Sequence, residues 1–141
     1  MTSLSFPDIN VWLALVASEH VHHASANRWW EQDTGRIGFS RFTQLGFLRL
    51  MTTAAAMDGK PLTMAEAWRV HDRLFSDDRV ALVPEPAGIE KRFRECASGR
   101  TASLKLWADA WLEAFADSAG GVMVTFDRAL AARARNAVLL R

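Results

Sequence analysis

Alternating strand and helix signals along the chain predict an α/β protein with a central parallel sheet of four to five strands and helices on both faces. Three observations carry that reading. Short apolar runs bounded by turn residues recur at residues 4–6, 37–40, 80–83 and 122–126, with a fifth strand candidate at 137–140. Helix-periodic stretches separate them, giving the order β-α-α-β-α-α-β-α-α-β-α-β. Asp8, Ser40 and Asp127 stand at or just after the ends of three of the runs, the end at which ligands bind in such sheets.

Each element has a local reason. Leu4, Ser5 and Phe6 form the first strand, and Pro7 lets Asp8 and Asn10 open a helix running through Val16, since Asp and Asn cap helix starts. A second helix is expected from His22 to about Glu31, before the Thr34-Gly35 turn and the strand 37–40. Phe42, Leu45, Leu48, Arg49 and Thr52 follow helical spacing and make a third helix, while residues 53–61 read as a loop or a short frayed helix. Thr63-Met-Ala-Glu66 is a capping box, and Met64, Ala67, Trp68, His71, Leu74 and Phe75 share one face of the helix it opens. Residues 86–97 and 104–118 read as helices stopped near Gly99 and before Gly120-Gly121. The strand 122–126 then leads into a short helix opened by Asp127.

Composition bounds the function classes. A chain of 141 residues with 50% hydrophobic content is expected to be one domain, residues 1–141. The net charge of +1 and a pI near 8.0 give no strongly basic balance, so any nucleic-acid surface must be local. The lone Cys96 excludes an internal disulfide, no charged-then-apolar leader opens the chain, and no apolar run approaches a membrane span. A cytoplasmic protein with no membrane association is expected.

The carboxylates carry the chemistry. Clustered carboxylates repel by roughly 1 kcal/mol per pair at about 4 Å in water-like surroundings, and by more in an interior, so such a cluster calls for a cation. Mg²⁺ takes oxygen ligands, keeps several waters and commonly uses one or two protein carboxylates plus substrate phosphate oxygens, which suits Asp8 and Asp109. Mn²⁺ is expected to substitute.

The segments 6–15, 40–52 and 109–130, taken together, resemble the PIN-domain nucleases, specifically the toxins of VapBC toxin-antitoxin pairs. That resemblance implies a PIN-like fold and a metal-dependent endoribonuclease that hydrolyses RNA at an acidic cluster. Asp8 matches the family's first acid, Asp109 its second, and Asp127, in Val-Thr-Phe-Asp-Arg, the later acid after the fourth strand. The resemblance also implies that the helix carrying Asp109 points at the sheet rim. It further implies a homodimer and a cognate antitoxin laid across the acidic site. The family often places a Glu one turn after the Ser of the second strand, where Gln44 follows Ser40 here; Gln44→Glu is accordingly expected to tighten Mg²⁺ binding.

Asn10 and Thr125, each two residues from an aspartate, are candidate donors that orient Asp8 and Asp127, and Ser40 joins them as a substrate-positioning candidate. Arg41 and Arg128 directly follow site candidates and are placed to hold an RNA phosphate. Glu113, one turn after Asp109, is a candidate to restore the carboxylate missing at Gln44. His20, His22 and His23 lack the companions of a zinc site and read as structural or surface residues; Trp68 reads as core, and Trp29 and Trp30 as unable both to face inward. Two rivals remain. A phospho-aspartate phosphatase lacks its second acid because Asn10 stands there, and a non-catalytic PIN-fold module for RNA or protein binding would follow if Gln44 weakened the acid cluster.

Overall fold

The computed structural model describes residues 3–141. In chain order they form β1 (Leu4–Pro7), α1 (Ile9–Val16), α2 (His23–Gln32), β2 (Arg36–Phe39), α3 (Arg41–Met51) and α4 (Met64–Phe75). There follow β3 (Val80–Leu82), α5 (Ile89–Cys96), α6 (Leu104–Ser118), β4 (Val122–Thr125), α7 (Arg128–Arg133) and β5 (Ala137–Leu139). The element order is the expected one, and the sheet is parallel throughout, five strands in the order β3-β2-β1-β4-β5.

Capping residues set most helix starts. Asp8, Ser40, Thr63, Ser103 and Asp127 each accept a hydrogen bond from the backbone amide three residues on, filling a donor that a helix start leaves unpaired. Thr63 and Glu66 complete the expected capping box. Because Ser40 and Asp127 cap helices, β2 and β4 stop at Phe39 and Thr125, slightly short of the sequence expectation. Likewise α5 begins at Ile89, since Gly88 sits in the left-handed region at φ 76° and breaks the chain direction before it.

Both faces of the sheet are covered. Phe6, Ile89, Leu112, Phe115, Met123 and Leu130 pack on one side beneath α5 and α6. On the other, Trp12, Ile37, Phe39, Phe47, Met51 and Ala67 pack beneath α1, α3 and α4, with Trp12 stacked on Phe39 at 3.8 Å between ring centroids. Trp68 is not core: it is 45% exposed and meets His71 edge-on, because Ala67 and His71 supply the inward face of α4. Trp29 and Trp30 both lie half-buried at the flank of this core. Trp30 packs edge-on to Trp12 and beneath the Arg79 guanidinium, so neither ring needs to point fully outward.

Strand order decides where the site falls. β1 and β4 are central neighbours in register, Pro7 opposite Val124, and the Asp8 amide donates to the Val124 carbonyl at 2.9 Å. Their carboxyl ends therefore lie side by side, each followed at once by a capped helix.

Candidate active site

Asp8, Asp109 and Asp127 face one cleft of about 440 Å³, whose walls also include Asn10, Phe42, Thr43, Arg49, Lys105 and Phe126. Asp8 arrives from the end of β1, Asp127 from the end of β4, and Asp109 from the second turn of α6. Asp8 is held from two sides. Its Oδ1 accepts from the Val11 amide at 3.0 Å as the cap of α1, and its Oδ2 accepts from the Thr125 hydroxyl. That same hydroxyl oxygen accepts the Asp127 amide at 3.0 Å, so one side chain of β4 ties two acids together. Asn10 lines the cleft and aims its backbone amide at Asp8.

Electrostatics separate the acids. Burial, joined by the negative charge of Asp109, pushes the Asp8 carboxyl above the usual carboxylate range against the pull of Thr125 and the Val11 amide. The Lys105 ammonium holds Asp127 below that range, and Asp127 in turn pushes Lys105 up. Lys105 also reaches Asp109 Oδ2 at 3.2 Å, and Arg133 stands 3.7 Å from the same oxygen.

Several expected contributors lie elsewhere. Gln44 is buried and turned away from the acids: its carbonyl oxygen accepts from Arg41 at 2.7 Å, and its amide nitrogen lies 3.1 Å from His71 Nε2. One turn past Ser40 the helix presents Thr43 and Gly46 to the cleft, and Gln44 falls on the α4 side. Ser40 is spent as the α3 cap and as a donor to the Thr43 hydroxyl. Arg41, engaged with Gln44, borders a separate depression with Leu82, Pro84 and Trp111, and Arg128 is exposed but does not line the acid cleft. Glu113 is 6% exposed and points toward α5, 3.3 Å from Arg92, so it adds no carboxylate to the cluster. The three histidines also diverge. His22 stacks on Phe126 at 4.3 Å, His23 Nδ1 donates to the Ala14 carbonyl, and the His22 amide donates to His20 Nδ1.

The residues that sequence reasoning missed are Lys105, Thr43, Phe126 and, as part of the cleft wall, Arg49. Lys105 carried a readable signal, since it lies four residues before Asp109 on the same helix face.

The donor set fits a hard cation. Among the described residues no three His, Cys, Asp or Glu side chains form a ready metal cage. Mg²⁺ needs none: it keeps its waters and takes one or two carboxylates. Asp8 and Asp109, close enough for the charge of one to disfavour ionisation of the other, offer such a pair.

Residues 5–136 match the family model described as PIN domain. The chain is also 41% identical over 128 residues to "Ribonuclease VapC41" of Mycobacterium tuberculosis, an overlap spanning 86% of this chain and 88% of that protein. This chain belongs to the PIN-domain family, among the VapC ribonucleases. Two solved structures share the PIN fold. The crystal structure of VapC20 from M. tuberculosis, a sarcin-ricin loop cleaving toxin, superposes with TM-score 0.65 at 18% identity, covering 91% of this chain and 93% of that one. VapBC2 from Rickettsia felis, bound to a promoter DNA fragment, gives TM-score 0.71 at 10% identity over 98% and 99% of the two chains. In this PIN domain the matched segment contains Asp8, Asp109 and Asp127.

Proposed function

We propose that this PIN domain is the toxin of a type II toxin-antitoxin pair, an Mg²⁺-dependent endoribonuclease in which Asp8, Asp109 and Asp127 form the catalytic cluster. The observation that carries the proposal is the meeting of three carboxylates, from β1, α6 and β4, in one cleft of a VapC relative. Asp8 and Asp109 would hold the ion, Mg²⁺ with Mn²⁺ able to substitute, and Asp127 would position water or substrate. When bound, the ion supplies an activated water and neutralises charge on the phosphate and the leaving oxygen. The chain's own residues do the rest. Thr125 holds the Asp8 carboxylate and the Asp127 backbone together, Asn10 borders the reacting space, and Phe42 and Phe126 give apolar walls against which a base can rest. Arg49, on the cleft wall, would hold an RNA phosphate.

Residues 1–141 act on this reading as one cytoplasmic domain. Among the described residues no helix is long and apolar enough to cross a membrane. A cognate antitoxin would inhibit by placing a basic side chain on the acid cluster. Exposed Phe42, Leu45, Met64 and Trp68 on α3 and α4 supply apolar surface for that partner or for a second copy in a homodimer. The non-catalytic alternative, a PIN-fold module for RNA or protein binding, is separated from this reading by divalent-ion dependence, since it requires no metal-dependent cleavage.

The test incubates the protein with pooled tRNA, ribosomal RNA and messenger RNA, with Mg²⁺ or Mn²⁺, with EDTA, and as Asp8→Asn and Asp109→Asn variants. Discrete fragments that vanish with chelator and with either variant are expected. Fragments that persist in EDTA, or no cleavage and no metal binding by folded protein, would overturn the reading.

A further inference from the structure

Lys105 sits where its own helix disfavours it. It is the second residue of α6, next to the positive end of the helix dipole, where a cation is disfavoured and acids are the usual occupants. Its side chain is 62% exposed, yet its ammonium is drawn onto Asp109 of the same helix and Asp127 beyond β4. These two acids thus share one monovalent cation, with Arg133 adding a longer contact to Asp109. Asp8 has no cationic partner among the described residues; its carboxylate meets only the Thr125 hydroxyl and backbone amides.

We infer that Lys105 is a built-in counter-ion of the acid cluster, which occupies Asp109 and Asp127 in the metal-free protein and must withdraw when a divalent cation enters. The inference rests on the metal-nuclease reading above and adds a competitor to it. The ammonium cannot serve all three acids at once, because it is engaged by Asp109 and Asp127 while the charges of Asp8 and Asp109 still oppose each other. A divalent ion bound by Asp8 and Asp109 relieves that remaining repulsion, and its charge repels an ammonium on the same Asp109 oxygen. Withdrawal costs little, since the side chain is flexible, mostly exposed and strongly hydrated when free. The consequence is a lower apparent metal affinity than the carboxylates alone would give.

The experiment has two readouts besides activity. In calorimetric titrations with Mn²⁺ and Mg²⁺, Lys105→Met should bind about three- to tenfold more tightly than the wild type, as the loss of two partly exposed ion pairs predicts. Lys105→Arg keeps the competing charge and should stay close to the wild type. Circular dichroism verifies that both variants are folded. The chain has three lysines, Lys60, Lys91 and Lys105, so amine-selective labelling read by mass spectrometry carries its own references. Adding metal should raise labelling at Lys105 alone.

Unchanged or weaker binding by Lys105→Met, with the wild type still binding metal and Asp8→Asn failing to, overturns the counter-ion and leaves the nuclease reading standing. Lys105 labelling that does not rise with metal does the same. A wild type that binds neither ion, yet cuts RNA in EDTA, overturns the nuclease reading and the counter-ion together.

Discussion

Thr125 joins Asp8 to Asp127 through a single hydroxyl, donating to one and accepting from the backbone of the other. Thr125→Val keeps the strand's shape and removes the tie, so kcat should fall about 10- to 100-fold, the usual cost of losing a group that orients a metal ligand, with KM little changed. Steady-state cleavage kinetics check this. Asp8→Asn should cost about 10³-fold, as several kcal/mol of charge stabilisation at phosphorus depend on the held ion. Gln44→Glu, expected from sequence to tighten Mg²⁺ binding, should instead leave calorimetric affinity unchanged, because the side chain at 44 meets Arg41 and His71 and not the cleft. At this scale the sequence located Asp8, Thr125 and Asp127 from their positions beside strands. It misplaced Gln44 because the choice between adjacent helix faces is made by packing against α4.

Among the elements, the α4 to β3 turn shows how an ion pair can hold a layer in place. Arg79 forks onto both Asp77 oxygens at 3.0 and 2.9 Å, donates to the Trp30 and Asp33 carbonyls at the end of α2, and covers the Trp30 ring. The pairing holds the Asp77 carboxyl below its ordinary value. A depressed carboxylate gives stability that is full above the unfolded value and lost as pH falls through the folded one. With side chains 23% and 30% exposed, screening limits the effect to about 0.5–1 kcal/mol. Asp77→Asn should therefore lower the urea midpoint at pH 7 and converge with the wild type below the depressed carboxylate range. Helix existence was legible through caps such as Thr63 and Asp127, which act within a few residues. Strand ends were less so, because Ser40 and Asp127 satisfy helix amides and thereby stop the strands before them.

In the whole molecule, the juxtaposition of β1 and β4 makes the site, and Gly121 permits it. A Cβ at Gly121 would lie 2.6 Å from the Leu4 carbonyl oxygen, a backbone atom that cannot step aside. Gly121→Ala should destabilise the fold by about 1–3 kcal/mol, read as a lower unfolding midpoint, and should also depress cleavage by shifting Asp127 against Asp8. By itself the sequence determined the α/β class, the order of strands and helices along the chain, and two aspartates at strand tips, because apolar periodicity and capping are local signals. Tertiary structure alone decided that β1 and β4 are neighbours, that α6 carries Asp109 to their rim, that Glu113 turns to Arg92, and that Lys105 lies between Asp109 and Asp127. Those outcomes depend on which buried faces find each other across distant sequence, a choice that sheet packing makes and no short segment encodes.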